Sequence, residues 1–132
     1  MDREAAATHT DNINLFGKVS ITSAFTPEGR VYKKELVEYL STTRDLTVEK
    51  IGGISGVEVM IPEATYLVWC DFRKLGSWPK VMRRLKEGAG VALSGGEFFG
   101  PAGAGWFRIN TAYPVNILNS ALDQIADEFK GK

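Results

Sequence analysis

The stretch TYLVWCDF, residues 65–72, is the strongest constraint on the fold of this chain. Side chains on a strand alternate between two faces, and this run is apolar on both. It therefore predicts an inner strand of a sheet, covered on either side. VEVM (57–60) alternates and predicts a short strand, as do GVAL (90–93) and WFRINTA (106–112).

Helices are signalled around these strands. Thr26 is suited to a helix N-cap, Pro27 to the first helical position, and Glu28 to the positive end of the dipole. Leu36, Val37, Leu40, Thr47, Val48 and Ile51 then recur at helical spacing, which predicts a long amphipathic helix over 27–51, ended by GGISG. Ser77 and Pro79 open a further helix with Trp78, Val81, Met82 and Leu85 as its inner stripe. Pro114 opens the last one, with Val115, Leu118, Leu122, Ile125 and Phe129 spaced by threes and fours. Residues 15–25 fit either a helix or an extended segment. The order α–α–β–β–α–β–β–α predicts an α/β (α+β) domain with helices packed on a sheet of three to four strands.

Composition narrows the function. The 132 residues suit one domain, expected over 13–132 behind a polar, flexible lead-in at 1–12. Lys plus Arg and Asp plus Glu each total 16, so the net charge of zero gives no footprint for nucleic acid. No apolar run reaches the length of a membrane span, and the N-terminal stretch lacks the apolar block of a signal peptide. Cys70 is the single cysteine, so no internal disulfide can form and a reducing, cytoplasmic setting is the default. Within its apolar run Cys70 reads as a small buried hydrophobe. His9 is the single histidine; with one cysteine it cannot assemble a zinc site, and it has no catalytic partner.

Few motifs carry chemistry. The loop SGGEFFGPAGAG (94–105) matches neither phosphate-binding glycine pattern and leads into a strand, so it reads as a tight turn close to another backbone or a ligand. Glu63 and Asp71 do not read as a catalytic pair. Lys80, Arg83, Arg84 and Lys86 read as a solvated basic face. Arg108 is different. It interrupts the apolar run of GAGWFRINTAYP (103–114) and should share one strand face with Trp106 and Asn110. A charge there needs water or a partner. An arginine fork on a rigid strand can grip a carboxylate through two parallel hydrogen bonds; exposure or internal pairing is the other reading.

Four stretches, in order, resemble the C-terminal small domain of fold-type I enzymes that use pyridoxal phosphate (PLP). The likeness is to class I/II aminotransferases, in the cystathionine β-lyase-like (C–S lyase) branch. AFTPEGRVYKKELVEYLSTTRD resembles the family's long helix, with Tyr39, Leu40, Arg44 and Asp45 in its tail. PEATYLVWCDFRKLG resembles its Pro-Glu-x-Thr-Tyr-Leu-x-Trp-x-Asp-x-Arg-x-Leu-Gly strand. AGVALSGGEFFG resembles the loop with Gly-x-x-Phe-Gly, here Gly96, Phe99 and Gly100. GAGWFRINTAYP is similar to the Gly-[aromatic]-x-Arg-x-Asn element, and GWFR is also similar to aminocyclopropane-carboxylate synthases. Departures are Gly95 where the family usually has proline, and Val115 where it often has arginine.

The resemblance implies a small domain, of an aminotransferase or a C–S β-lyase, that supplies Arg108 as anchor for the substrate α-carboxylate. PLP is then the cofactor of the parent enzyme, expected as a homodimer. In such enzymes the Schiff-base lysine and the cofactor's phosphate grip belong to a large domain upstream. Nothing here matches its Ser-x-x-Lys element, and Lys18, Lys33 and Lys34 stand in another context. The chain alone is therefore expected to lack catalytic residues, to bind no cofactor or metal, and to need the missing large domain as partner. It should also expose apolar surface around 13–25 and 94–106. A stand-alone small-molecule-binding or interaction module of the same fold is the alternative.

Overall fold

A computed structural model describes residues 14–130. The expected lead-in at 1–12 lies outside them, as does His9. The chain divides into two compact units, Met1–Glu38 and Tyr39–Lys132.

In the first unit, helix α1 spans Leu15–Ala24. Asn14 decides between helix and extended chain there: its Oδ1 accepts the Gly17 amide at 2.8 Å and caps the helix. Helix α2 runs from Pro27 to Gly52. Thr26 caps it as expected, its Oγ1 accepting from the Gly29 amide at 3.1 Å. No described residue of this unit is buried, and Phe16 is 81 % exposed. The apolar stripe predicted along α2 is thus only half inward. Thr43, Thr47 and Ile51 are buried, whereas Leu36 and Val37 are exposed.

The described residues of the second unit form four strands: β1 Glu58–Met60, β2 Leu67–Asp71, β3 Ser94–Gly95 and β4 Trp106–Asn110. They pair antiparallel in the order β1-β2-β4-β3, so β2 is an inner strand, as predicted. GVAL is not a strand; the ladder begins only at Ser94, which pairs with Arg108. Helix α3 covers Trp78–Arg83 and continues as a π-turn to Gly88; Ser77 stands at its N-cap without a side-chain bond. Helix α4 spans Val115–Phe129 and buries Leu118, Leu122, Ile125 and Phe129. Val115, expected in that stripe, is exposed.

One core joins these elements. Val68 and Cys70 of β2, with Phe107 and Ile109 of β4, pack with Ile51, Val81, Leu85 and the inner side of α4. The opposite sheet face carries Leu67 and Trp69 of β2 and Trp106 and Arg108 of β4, all only half-buried. The covering of β2 expected on both sides is therefore complete on one side alone. No helix among the described residues is long and apolar enough to cross a membrane.

Candidate functional site

The half-open sheet face is built on the β2–β4 ladder, where Trp69 pairs with Arg108 and Asp71 with Trp106. Alternation puts Trp106 and Arg108 on this face, with Phe107 and Ile109 turned into the core. The ends are pinned. The Phe72 amide donates to the Gly105 carbonyl, and Thr111 donates to the Tyr66 carbonyl through both its amide and its hydroxyl.

Residues 96–103 fold over this face as two tight turns. Gly96 and Gly103 cross so closely that a Cβ on either would lie 2.1 Å from the other's carbonyl oxygen. The loop is therefore a backbone crossing, as its glycines implied. Gly95, where the resembled family usually has proline, has an ordinary φ of −70°. A Cβ there would meet Trp78 Nε1 and Glu97 Oε2, each at 2.9 Å, so those side chains would have to shift to admit one.

The crossing sets Phe99 over the strands. Its ring meets Trp69 edge-on, with centroids 5.2 Å apart, and the Arg108 guanidinium carbon lies 4.8 Å from its centroid. Among the described residues no carboxylate pairs with Arg108. Arg108 also lines a cleft of about 330 Å³ with Ser94, Asn110 and the apolar Leu67, Leu93 and Ile117. The Asn110 Oδ1 accepts from the Ala112 amide at 2.9 Å, so that oxygen already holds the bend after β4. Tyr39 donates to the Tyr113 carbonyl at 2.7 Å.

A second arginine shares the face. Arg73 lies over Trp106, 5.4 Å from the ring centroid, and grips Asp71 with Nε at 2.9 and 3.0 Å and Nη2 at 2.6 Å. The side-chain hydrogen bond from Arg73 holds the Asp71 carboxyl below its ordinary value, against a smaller opposing effect of burial. Asp71 is thus a buried, paired acid, while Glu63 is exposed; they form no catalytic pair. The Asp-x-Arg spacing was the available signal, since an Asp side chain readily bonds the backbone two residues on; its Oδ1 accepts from the Arg73 amide. Trp69 and Phe99 carried no signal of a shared role, because only the loop crossing brings them together.

Other candidates resolve simply. Cys70 is fully buried, and burial pushes its thiol up to about 12. Of the basic cluster, Lys80, Arg83 and Lys86 are exposed, but Arg84 is half-buried, bonded to Glu128 and set 4.1 Å from the Phe129 ring centroid. Among the described residues no group of three or more His, Cys, Asp or Glu could hold a metal. The described lysines are exposed, except Lys50, which is half-buried and ion-paired with Asp123. None of the described lysines is a fully buried amine of the kind that Schiff-base chemistry uses.

No family model matches the chain. It is 29% identical over 119 residues to cystathionine β-lyase PatB of Bacillus subtilis (strain 168), an overlap of 86% of this chain and 30% of that relative. It is 27% identical over 99 residues to LL-diaminopimelate aminotransferase of Maridesulfovibrio salexigens, 75% of this chain and 25% of the relative. Among solved structures, a PLP-bound protein of Clostridium difficile 630 described as an aminotransferase superposes with a TM-score of 0.82 at 31% identity. That overlap takes in 96% of this chain and 34% of the other. The chain thus spans between 25% and 30% of the length of these two curated relatives.

Proposed function

We propose, from the premise that this chain is a homologue of PLP-dependent aminotransferases and cystathionine β-lyases and has the fold of their small domain, that it serves as such a domain and that Arg108 binds the α-carboxylate of an amino-acid substrate. A large domain supplies the lysine and holds the cofactor.

One observation carries the reading. Arg108 is a half-buried guanidinium on an inner strand, set beside a cleft and left without a carboxylate among the described residues. Partial burial of a charge is costly unless a counter-charge arrives. A substrate carboxylate is the natural counter-charge, because the planar fork matches it with two parallel bonds. Arg108 then binds and orients: fixing the carboxylate fixes the rest of a small amino acid, and orientation lowers the barrier. PLP, when bound in such an enzyme, supplies the electron sink. Carboxylate binding is common to amino transfer and C–S cleavage, so both fall within the proposal.

The test is a graft. Residues 14–130 replace the matching segment of the Bacillus subtilis cystathionine β-lyase, and Arg108→Lys is compared with the unmutated graft. An ammonium cannot reproduce the two parallel bonds. The loss should be about 1.5–3 kcal/mol, roughly ten- to a hundredfold in amino-acid kcat/KM, with cofactor absorbance unchanged. An unchanged kcat/KM would mean that Arg108 does not hold the substrate.

A further inference from the structure

We infer that Phe99 is a positioning residue for Arg108: its ring, braced by Trp69 and held by the Gly96–Gly103 crossing, fixes the guanidinium in the orientation that receives a carboxylate. The inference rests on the carboxylate-binding reading of Arg108 but is drawn from different atoms.

Three observations meet here. An arginine side chain carries much rotamer freedom, and among the described residues Arg108 lacks the carboxylate that would ordinarily remove it. The group that meets it is an aromatic face, 4.8 Å from centroid to guanidinium carbon. A ring face suits a binding arginine, because it attracts the cation without offering its N–H donors the oxygen acceptors of a carboxylate. A carboxylate on the protein would occupy those donors, as Asp71 does on Arg73. Phe99 is itself held. Trp69 meets it edge-on at 80°, a favoured aromatic geometry, and Trp69 is the cross-strand partner of Arg108. Ring, indole and guanidinium thus form a closed set across one rung of the ladder.

The loop explains why a 56 % exposed phenylalanine stays there. The crossing at Gly96 and Gly103 leaves no room for a Cβ on either residue, so the turn carrying Phe99 is fixed by backbone. Neighbouring Phe98 is 84 % exposed and belongs to no such set.

The test uses the 132-residue chain with ¹⁵N-labelled arginine side chains and L-alanine as probe. Arg73, stacked on Trp106 but paired with Asp71, is the internal control. Without probe, the Arg108 Nε–H of the wild type should be ring-shifted and rigid by heteronuclear NOE. Phe99→Leu should abolish both signatures while Arg73 and the far-UV spectrum stay unchanged; Phe99→Tyr, which keeps the face, should retain them. Gly103→Ala should displace the loop and reproduce the Phe99→Leu effect on Arg108. With probe, Phe99→Leu should weaken binding roughly three- to tenfold. An Arg108 signal as rigid and as shifted in Phe99→Leu as in wild type overturns the brace. Loss of the signatures with unchanged alanine affinity overturns the positioning role. A wild-type Arg108 that is stacked yet never responds to alanine counts against carboxylate binding, while the ligand-free comparison still decides the brace.

Discussion

The two faces of the β2–β4 ladder are made by the same ten residues and are finished differently. On the inner face Val68, Cys70, Phe107 and Ile109 are at most 3 % exposed. On the outer face Leu67, Trp69, Trp106 and Arg108 stay half-open. The outer face is no failed core, because its polar groups are ordered. Arg73 and Arg108 each lie over an aromatic ring. Asp71 neutralises Arg73, but no described residue neutralises Arg108. The inner face is closed by side chains of this chain, whereas the outer face keeps one arginine with no carboxylate partner among the described residues.

The largest contrast should appear in stability. Phe107 is fully buried and meets Phe72 edge-on at 5.4 Å. Phe107→Ala should cost about 3–5 kcal/mol in urea unfolding. Trp106→Ala, one residue away on the half-open face, should cost about 1–2 kcal/mol. Equal losses would erase the distinction between the faces.

A second contrast follows from Cys70. Its thiol is held at about 12 by burial, whereas an unfolded cysteine titrates near 8.5. The unfolded chain therefore loses this proton first as pH rises. Stability should fall above about pH 8.5 by up to about 1.4 kcal/mol per pH unit from this group. In Cys70→Ala that component of the alkaline slope should vanish; an identical slope in both proteins would mean that the thiol is not buried in solution.

Asp71 gives the smallest of these effects. Asp71→Asn should lower stability by about 1–1.5 kcal/mol, the low end for a charged hydrogen bond because Arg73 is solvated. The sign with pH is opposite to that of Cys70. A carboxyl held below its ordinary value stabilises above the unfolded value, near about 3.9, and that contribution is lost as pH falls through the folded value. Acid melts below about pH 3.9 should therefore be steeper for wild type than for Asp71→Asn. Parallel melts would show that the Arg73 grip is absent in solution.

The order of elements, the inner place of residues 65–72 and the outward-facing Arg108 were legible in the sequence, because each follows from strand alternation and helix spacing. What was misread concerns coverage. Leu67 and Trp69 read as buried, and Leu36 and Val37 as an inner stripe, because hydrophobicity reports a preference for cover without naming what provides it. GVAL read as strand from composition, but pairing starts only where Ser94 reaches β4. The grip of Arg73 on Asp71 and the contact of Phe99 with Arg108 were missed for separate reasons. One depends on a local turn whose Asp-x-Arg spacing was passed over. The other depends on two glycines seven residues apart crossing in space, which no local pattern encodes.

One measurement separates an Arg73 occupied by Asp71 from an Arg108 proposed to bind a carboxylate. The side-chain Nε–H signals of both arginines are followed while the chain is titrated with L-alanine and, separately, with L-alaninamide, which lacks the carboxylate. Arg108 should shift saturably with the acid and not with the amide, while Arg73 stays still throughout. A shift of Arg73 in place of Arg108, or an Arg108 response that does not distinguish acid from amide, would contradict that expectation.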